Sequence, residues 1–174
     1  NKSLLRVLFP KKYPSKRVNY STPIDVHSVI GACMIVRSRA IEEVGLLDED
    51  YFFFLEETDW CYRMRHRRWQ VCHVPQAKVI HLQGRTVDLI KDRAKIEYYR
   101  SLYLFFKKHR GIVASALLRV FLFSRFCIDF VLTLLSCLLT AFRSERLKRR
   151  LRIYAKLIHW HLRLCPVGMG LGEG

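Results

Sequence analysis

The sequence predicts an α/β region over residues 1–110, then apolar and basic helices over 111–167, then a flexible tail over 168–174. Three observations predict this. Val29-Ile30-Gly31-Ala32-Cys33-Met34-Ile35-Val36 is a continuous apolar run ended by Arg37, the pattern of a strand buried on both faces. Ile96, Tyr99, Tyr103 and Phe106 recur at helical spacing. Beyond Gly111 the chain is strongly apolar and then strongly basic.

The remaining elements follow from local signals. Ser38 is placed to cap a short helix through Glu42 and Val44, with Gly45 as its left-handed stop. Val71-Cys72-His73-Val74 and Lys78-Val79-Ile80-His81 read as two short strands broken by Pro75. Asp92 opens a helix whose far end is loaded with Lys107, Lys108, His109 and Arg110 before Gly111 closes it. Strands alternating with helices make the first region α/β.

With 174 residues, 51% of them hydrophobic, the chain has enough apolar material for a core, which excludes general disorder. It opens on Asn1-Lys2-Ser3, without an initiator Met or a signal-peptide pattern, and is expected to be a piece of something longer. The six cysteines show no CxxC spacing and stand in apolar contexts. They are expected to be buried, unpaired thiols of a reducing compartment, with no zinc site. The closing Gly168-Met169-Gly170-Leu171-Gly172-Glu173-Gly174 has neither the strand before it nor the helix after it that a phosphate loop needs.

Residues 112–142 raise the question of a membrane. Arg119, Arg125 and Asp129 interrupt the segment, and its longest uncharged run, 130–142, is shorter than the roughly 20 residues of a spanning helix. Arg125 and Asp129, four apart, can pair on one face. Arg143, Arg146, Lys148, Arg149, Arg150, Arg152 and Lys156 follow, opposed only by Glu145. Three readings fit: a protein lying on an anionic leaflet, a helical pair packed on the core, and a true span. Surface association is the expectation carried forward. The net charge of +16 suits any polyanion, but the acidic cluster and the long apolar stretch argue against nucleic acid.

That cluster is the chain's main anomaly. Of 15 acidic residues, Glu42, Glu43, Asp48, Glu49, Asp50, Glu56, Glu57 and Asp59 fall in one short region around Tyr51-Phe52-Phe53-Phe54. Acids ahead of Trp60, Cys61 and Met64, with Arg63, Arg65, Arg67 and Arg68 behind, are also what a helix dipole alone would favour. The chemistry reading starts from geometry. Glu56 and Glu57 lie about 100° apart on a helix, so they face different surroundings. Glu56 and Asp59 can organise the turn, leaving Glu57 free to take a proton from a hydroxyl nucleophile. Asp48-Glu49-Asp50 has an acid-x-acid spacing, but after the turn at Gly45 it reads as a solvated loop.

Residues 31–86 resemble the C-terminal half of the catalytic domain of family 2 glycosyltransferases, especially bacterial rhamnosyltransferase-like members. The matching features are Gly31-Ala32 with Arg37, Gly45 with Asp48-Glu49, Phe52-Phe53, Glu56-Glu57-Thr58-Asp59-Trp60-Cys61-Tyr62-Arg63, Pro75-Gln76-Ala77-Lys78-Val79-Ile80-His81 and Gly84. "YYRSLYLFFKKHRG" and "WHLR" resemble the family's later helices, so the likeness runs over most of the chain. It implies half of a Rossmann-like GT-A domain, acting on a nucleotide-diphospho-sugar donor and a saccharide or lipid-linked acceptor with inversion. Glu57 stands at the position of the catalytic base, where the family usually has Asp, with Glu56 and Asp59 beside it. Gly31, Ala32, Trp60 and Arg63 are implied on the substrate side. His81 is implied as a ligand of a divalent metal, Mn²⁺ or Mg²⁺, and Arg68 stands where a Gly is usual. The expected place is the cytoplasmic face of a bacterial inner membrane, with rhamnose as the family-level sugar. Only 30 residues precede Gly31, so the donor half, with its Asp-x-Asp, is expected outside this sequence. The competing reading is a non-catalytic, basic, membrane-associated adaptor lacking the donor site.

Overall fold

The computed structural model describes residues 21–81 and 91–171. In chain order these form β1 (Ile24–Asp25), α1 (Ser38–Val44), α2 (Glu56–His66), β2 (Cys72–His73), α3 (Lys91–Leu139), α4 (Glu145–Leu162) and one 3₁₀ turn at Val167–Met169. β1 and β2 pair antiparallel, with Ile24 opposite His73 and Asp25 opposite Cys72.

The described residues are therefore mostly helical, and two expected strands are corrected. The apolar run 29–36 forms no strand, and Ile35 is 98% exposed. A strand buried on both faces needs a ladder on each side, and among the described residues only the short β1–β2 pair exists. Of the two strands around Pro75, only Cys72–His73 forms; residues 78–81 are irregular and Ile80 is 91% exposed. The Rossmann-like reading thus rests on the resemblance.

The helices follow their local signals closely. α1 begins at Ser38 itself, with Arg37 as the N-cap and no side-chain cap bond, so Ser38 is not the cap. It ends where expected, on Gly45 with φ 78° and ψ −178°, a region essentially reserved for glycine. α2 has its acids in the first turn and its bases in the last, complementing the dipole. α3 starts one residue before Asp92 and is broken rather than ended at Gly111 (φ 87°, ψ 169°). Its two arms fold back on each other. Ser115 Oγ donates to Tyr103 O (3.0 Å), and Tyr99 meets Phe126 edge-on at 4.8 Å.

α4 closes this hairpin. Ser144 caps it by accepting from Leu147 N. Leu157 and Trp160 join Ile96 and Tyr103 of the first arm with Leu122 and Phe126 of the second in one buried cluster. Tyr103 stacks on Trp160 at 5.9 Å, and its hydroxyl meets His161 Nε2 at 2.7 Å. The tail, expected to be flexible from Gly168, is seated as far as Leu171. Arg93 Nε donates to Gly170 O (2.8 Å) and Leu171 N to Glu97 Oε2 (3.0 Å). Buried Glu97 supplies the polar partner that glycine spacing alone does not reveal. Residues 172–174 lie outside the described residues. All six cysteines are free; Cys33 is exposed because the run 29–36 forms no strand, and Cys72 is exposed within β2, whose two-residue pairing with β1 leaves it uncovered.

Candidate functional site

The acidic cluster is organised by a strained turn. Phe54 (φ 70°) and Leu55 (φ 68°) are successive non-glycine residues in the left-handed region, costing on the order of 1–3 kcal/mol each. The first arm of α3 holds them there. Ser101 Oγ donates to Phe53 O (2.9 Å), and the Phe54 ring meets Tyr98 edge-on at 5.9 Å. Leu55 then acts as the N-cap of α2 without a side-chain cap bond. With no side-chain cap at Leu55, the backbone N–H groups of Glu57 and Thr58 are directed at the Glu57 carboxylate.

Asp59 is the structural hub behind that turn. It is wholly buried, accepting from Tyr51 Oη (3.2 Å) and Arg63 Nε (2.7 Å), with His109 Nε2 at 2.6 Å. Burial, followed by the Asp59 charge, pushes the Tyr51 phenol well above its usual range, which keeps it a neutral donor. Arg63 also donates to Val44 O and Leu46 O, and Trp60 Nε1 donates to Gly45 O at 2.8 Å. Asp59, Trp60 and Arg63 therefore fasten the 44–51 turn to α2. The Asp48-Glu49-Asp50 triplet, expected to be solvated, is pinned by Lys108, which pairs with Asp48 and with Asp50 (2.6 Å).

Glu57 faces the other way, toward residue 31. A Cβ built on Gly31 would lie 3.7 Å from Glu57 Cβ, in ordinary contact. Burial raises the Glu57 pKa and the neighbouring Glu56 charge adds to the rise; backbone N–H groups of Glu57, Gly31 and Thr58 pull against it. A carboxylate shifted upward in a half-buried position is more basic than an exposed one. Glu56 Oε2 is buried without a hydrogen-bond partner. Ala32 lies exposed beside Gly31, and Phe52 and Phe53 present exposed rings close in sequence to the acids. The structure thus brings Gly31 to Glu57, while Trp60 and Arg63 of α2 contact the backbone of the 44–46 turn.

His81 is exposed, and among the described residues no three His, Cys, Asp or Glu side chains come together as metal ligands. Sequence reasoning missed His109, Tyr51, Ser101 and Lys108 as partners of the cluster. His109 and Lys108 also line an open groove of about 380 Å³ with Tyr62, Arg63, His66 and Arg67. The only sequence signal for His109 was its place in the basic end of a helix arm.

Comparison with known proteins finds distant, partial similarity to glycosyltransferases. Over 82 residues, 47% of this chain, the sequence is 30% identical to the N-acetylglucosaminyl-diphospho-decaprenol L-rhamnosyltransferase of two Mycobacterium tuberculosis strains. Over 94 residues, 54% of this chain, it is 28% identical to a low-salt glycan biosynthesis hexosyltransferase of Haloferax volcanii. The aligned stretches cover 27% and 28% of those relatives, so the chain matches about a quarter of their length. The similarity covers about half of this chain rather than most of it. No family model and no solved structure matches.

Proposed function

We propose that this chain is the acceptor side of an inverting glycosyltransferase in which Glu57 is the general base. The observation that carries the reading is the setting of Glu57: at the start of α2, against Gly31, half-buried, with its basicity raised by burial. The distant relatives support sugar transfer in general. In the reaction, Glu57 takes the proton from an acceptor hydroxyl as that oxygen bonds to the anomeric carbon. The bond from that carbon to the nucleotide diphosphate breaks, and the diphosphate leaves with the electron pair. Attack opposite the leaving group inverts the centre.

The donor is a nucleotide-diphospho-sugar, with rhamnose the sugar named in one set of relatives, and the acceptor is a lipid-linked saccharide. Asp59, Arg63 and Trp60 hold the turn that aims α2, and Glu56 adds negative charge that keeps Glu57 basic. The test is transfer of labelled sugar by the active enzyme carrying Glu57→Gln. General-base catalysis is worth about 10² to 10⁴ in rate, so kcat falls by that order with donor affinity nearly unchanged. A folded Glu57→Gln enzyme with wild-type kcat overturns the assignment. Glu57→Asp, which restores the residue usual in family 2, keeps substantial activity.

A further inference from the structure

We propose that the second arm of α3 lies in the plane of an anionic bilayer surface, with one defined face in lipid, and does not cross it. This inference is independent of the glycosyl-transfer reading. By length and composition α3 could cross a membrane, so packing has to decide.

Placed at about 100° per residue, Val113, Leu117, Val120, Ile128, Leu135 and Leu138 fall within one arc of about 80°. All six are exposed. Leu122, Phe126, Thr133 and Cys137, which are buried, lie on the opposite side of the arm. The outward stripe runs for roughly 38 Å at 1.5 Å per residue and carries no charge. Arg119 turns inward over the Tyr103 ring (5.2 Å), and Arg125 at the flank is paired with Asp129 at 3.5 Å. Ser124, the hydroxyl on the stripe, donates to Val120 O at 3.0 Å and needs no water.

α4 decides between lying on the membrane and crossing it. It returns along the same arm, its His161 ring meeting Phe123 at 5.7 Å and Phe126 at 5.5 Å. Arg149, Arg152, Lys156, His159 and Arg163 recur at three- and four-residue intervals, one exposed basic stripe along α4. None of Arg149, Arg152 or Arg163 forms an ion pair among the described residues. A crossing arm would draw these cations into hydrocarbon. An arm lying flat keeps all of α4 out of hydrocarbon, so that its cations stay in water or reach anionic headgroups on their long stems. A second copy of the chain would instead bring two charges of +16 together.

The test is flotation of the 174-residue chain with vesicles of phosphatidylcholine alone or mixed with phosphatidylglycerol. Binding is expected only with the anionic lipid, falling as salt rises. Val120→Glu combined with Leu135→Glu changes exposed positions; it is expected to leave the thermal transition in place and weaken binding by roughly tenfold or more. Added tryptophans, Val113→Trp and Leu138→Trp, are expected to be quenched by brominated lipids at equal, shallow depth. Unequal depths, or retention after carbonate washing, would show a span and overturn the proposal. Unchanged binding by the double Glu variant would also overturn it, as would a lipid-free dimer that Val120→Glu dissolves without any vesicle binding.

Discussion

Glu57 and Asp59 sit two residues apart on α2 in different surroundings, Glu57 half-buried against Gly31 and Asp59 wholly buried among Tyr51, Arg63 and His109. Burial raises the Glu57 pKa, so its proton is held more tightly in the folded chain than in the unfolded one. Such a carboxyl favours folding below its unfolded value of about 4.3, and that contribution is lost as pH rises through the raised folded value. Glu57→Gln, which does not titrate, should therefore gain stability relative to wild type as pH rises from 4 to 7. Denaturant unfolding at several pH values checks this; a difference that does not change with pH would mean the carboxyl is not perturbed. Asp59 is wholly buried and has partners on both oxygens. Asp59→Ala leaves Arg63 and His109 without their anion, and breaking such a buried pair costs about 3–5 kcal/mol. The expected result is a large drop in the unfolding midpoint, with activity lost in proportion to folded protein. A stable, inactive Asp59→Ala chain would make Asp59 more than a positioning residue.

At the scale of elements, the two-armed α3 carries both the acidic turn and the apolar arm, and Gly111 joins them. Its φ of 87° and ψ of 169° lie in a region that only glycine adopts freely. Nothing lies within 4 Å of a Cβ built there, so Gly111→Ala costs only backbone strain, about 1–3 kcal/mol. That loss is expected to appear in thermal unfolding; a neutral Gly111→Ala would mean the arms can rejoin in another conformation. Gly170 presents the converse case. Its φ is ordinary, but an added Cβ would stand 2.3 Å from Glu97 Oε2, the oxygen that accepts from Leu171 N, on a buried side chain whose Oε1 pairs with Arg100 at 2.9 Å. Gly170→Ala should unseat the segment ending at Leu171 and destabilise by roughly 1–3 kcal/mol, as overpacking does. The helices were legible because their signals are local: the spacing of Ile96 and Tyr103, Gly45, and the acids and bases at the two ends of α2. The strand expected at 29–36 does not form, since an apolar run becomes a strand only beside neighbours that a linear pattern does not contain. At the site, Glu57 could be singled out from its motif and helix phase. His109 could not, because its bond to Asp59 joins residues 50 positions apart.

The whole molecule is an assembly of few acids and many bases, with a net charge of +16 over 174 residues. Its ion pairs are concentrated where the acids are: Arg63 with Asp59, Lys108 with Asp48 and Asp50, Lys156 with Asp92. Arg143, Arg146, Arg149 and Arg152 crowd the start of α4 and its approach, facing Glu145 alone in their own stretch. Like charges at that density oppose the compact state, because folding brings them closer than they stand in the open chain. Salt screens this repulsion, with a Debye length of about 30 Å at 0.01 M and about 10 Å at 0.1 M. It also screens exposed ion pairs, but those contribute only about 0–1 kcal/mol each, and the buried Asp59 pair is largely shielded from the effect. Repulsion should win the balance, so the thermal midpoint should rise as sodium chloride goes from 0.01 to 0.3 M. A gain of about 1 kcal/mol corresponds to roughly 2–4 °C for a chain of this size. Scanning calorimetry at matched pH measures it, and a midpoint that falls with salt would show that attractive pairs outweigh the excess positive charge.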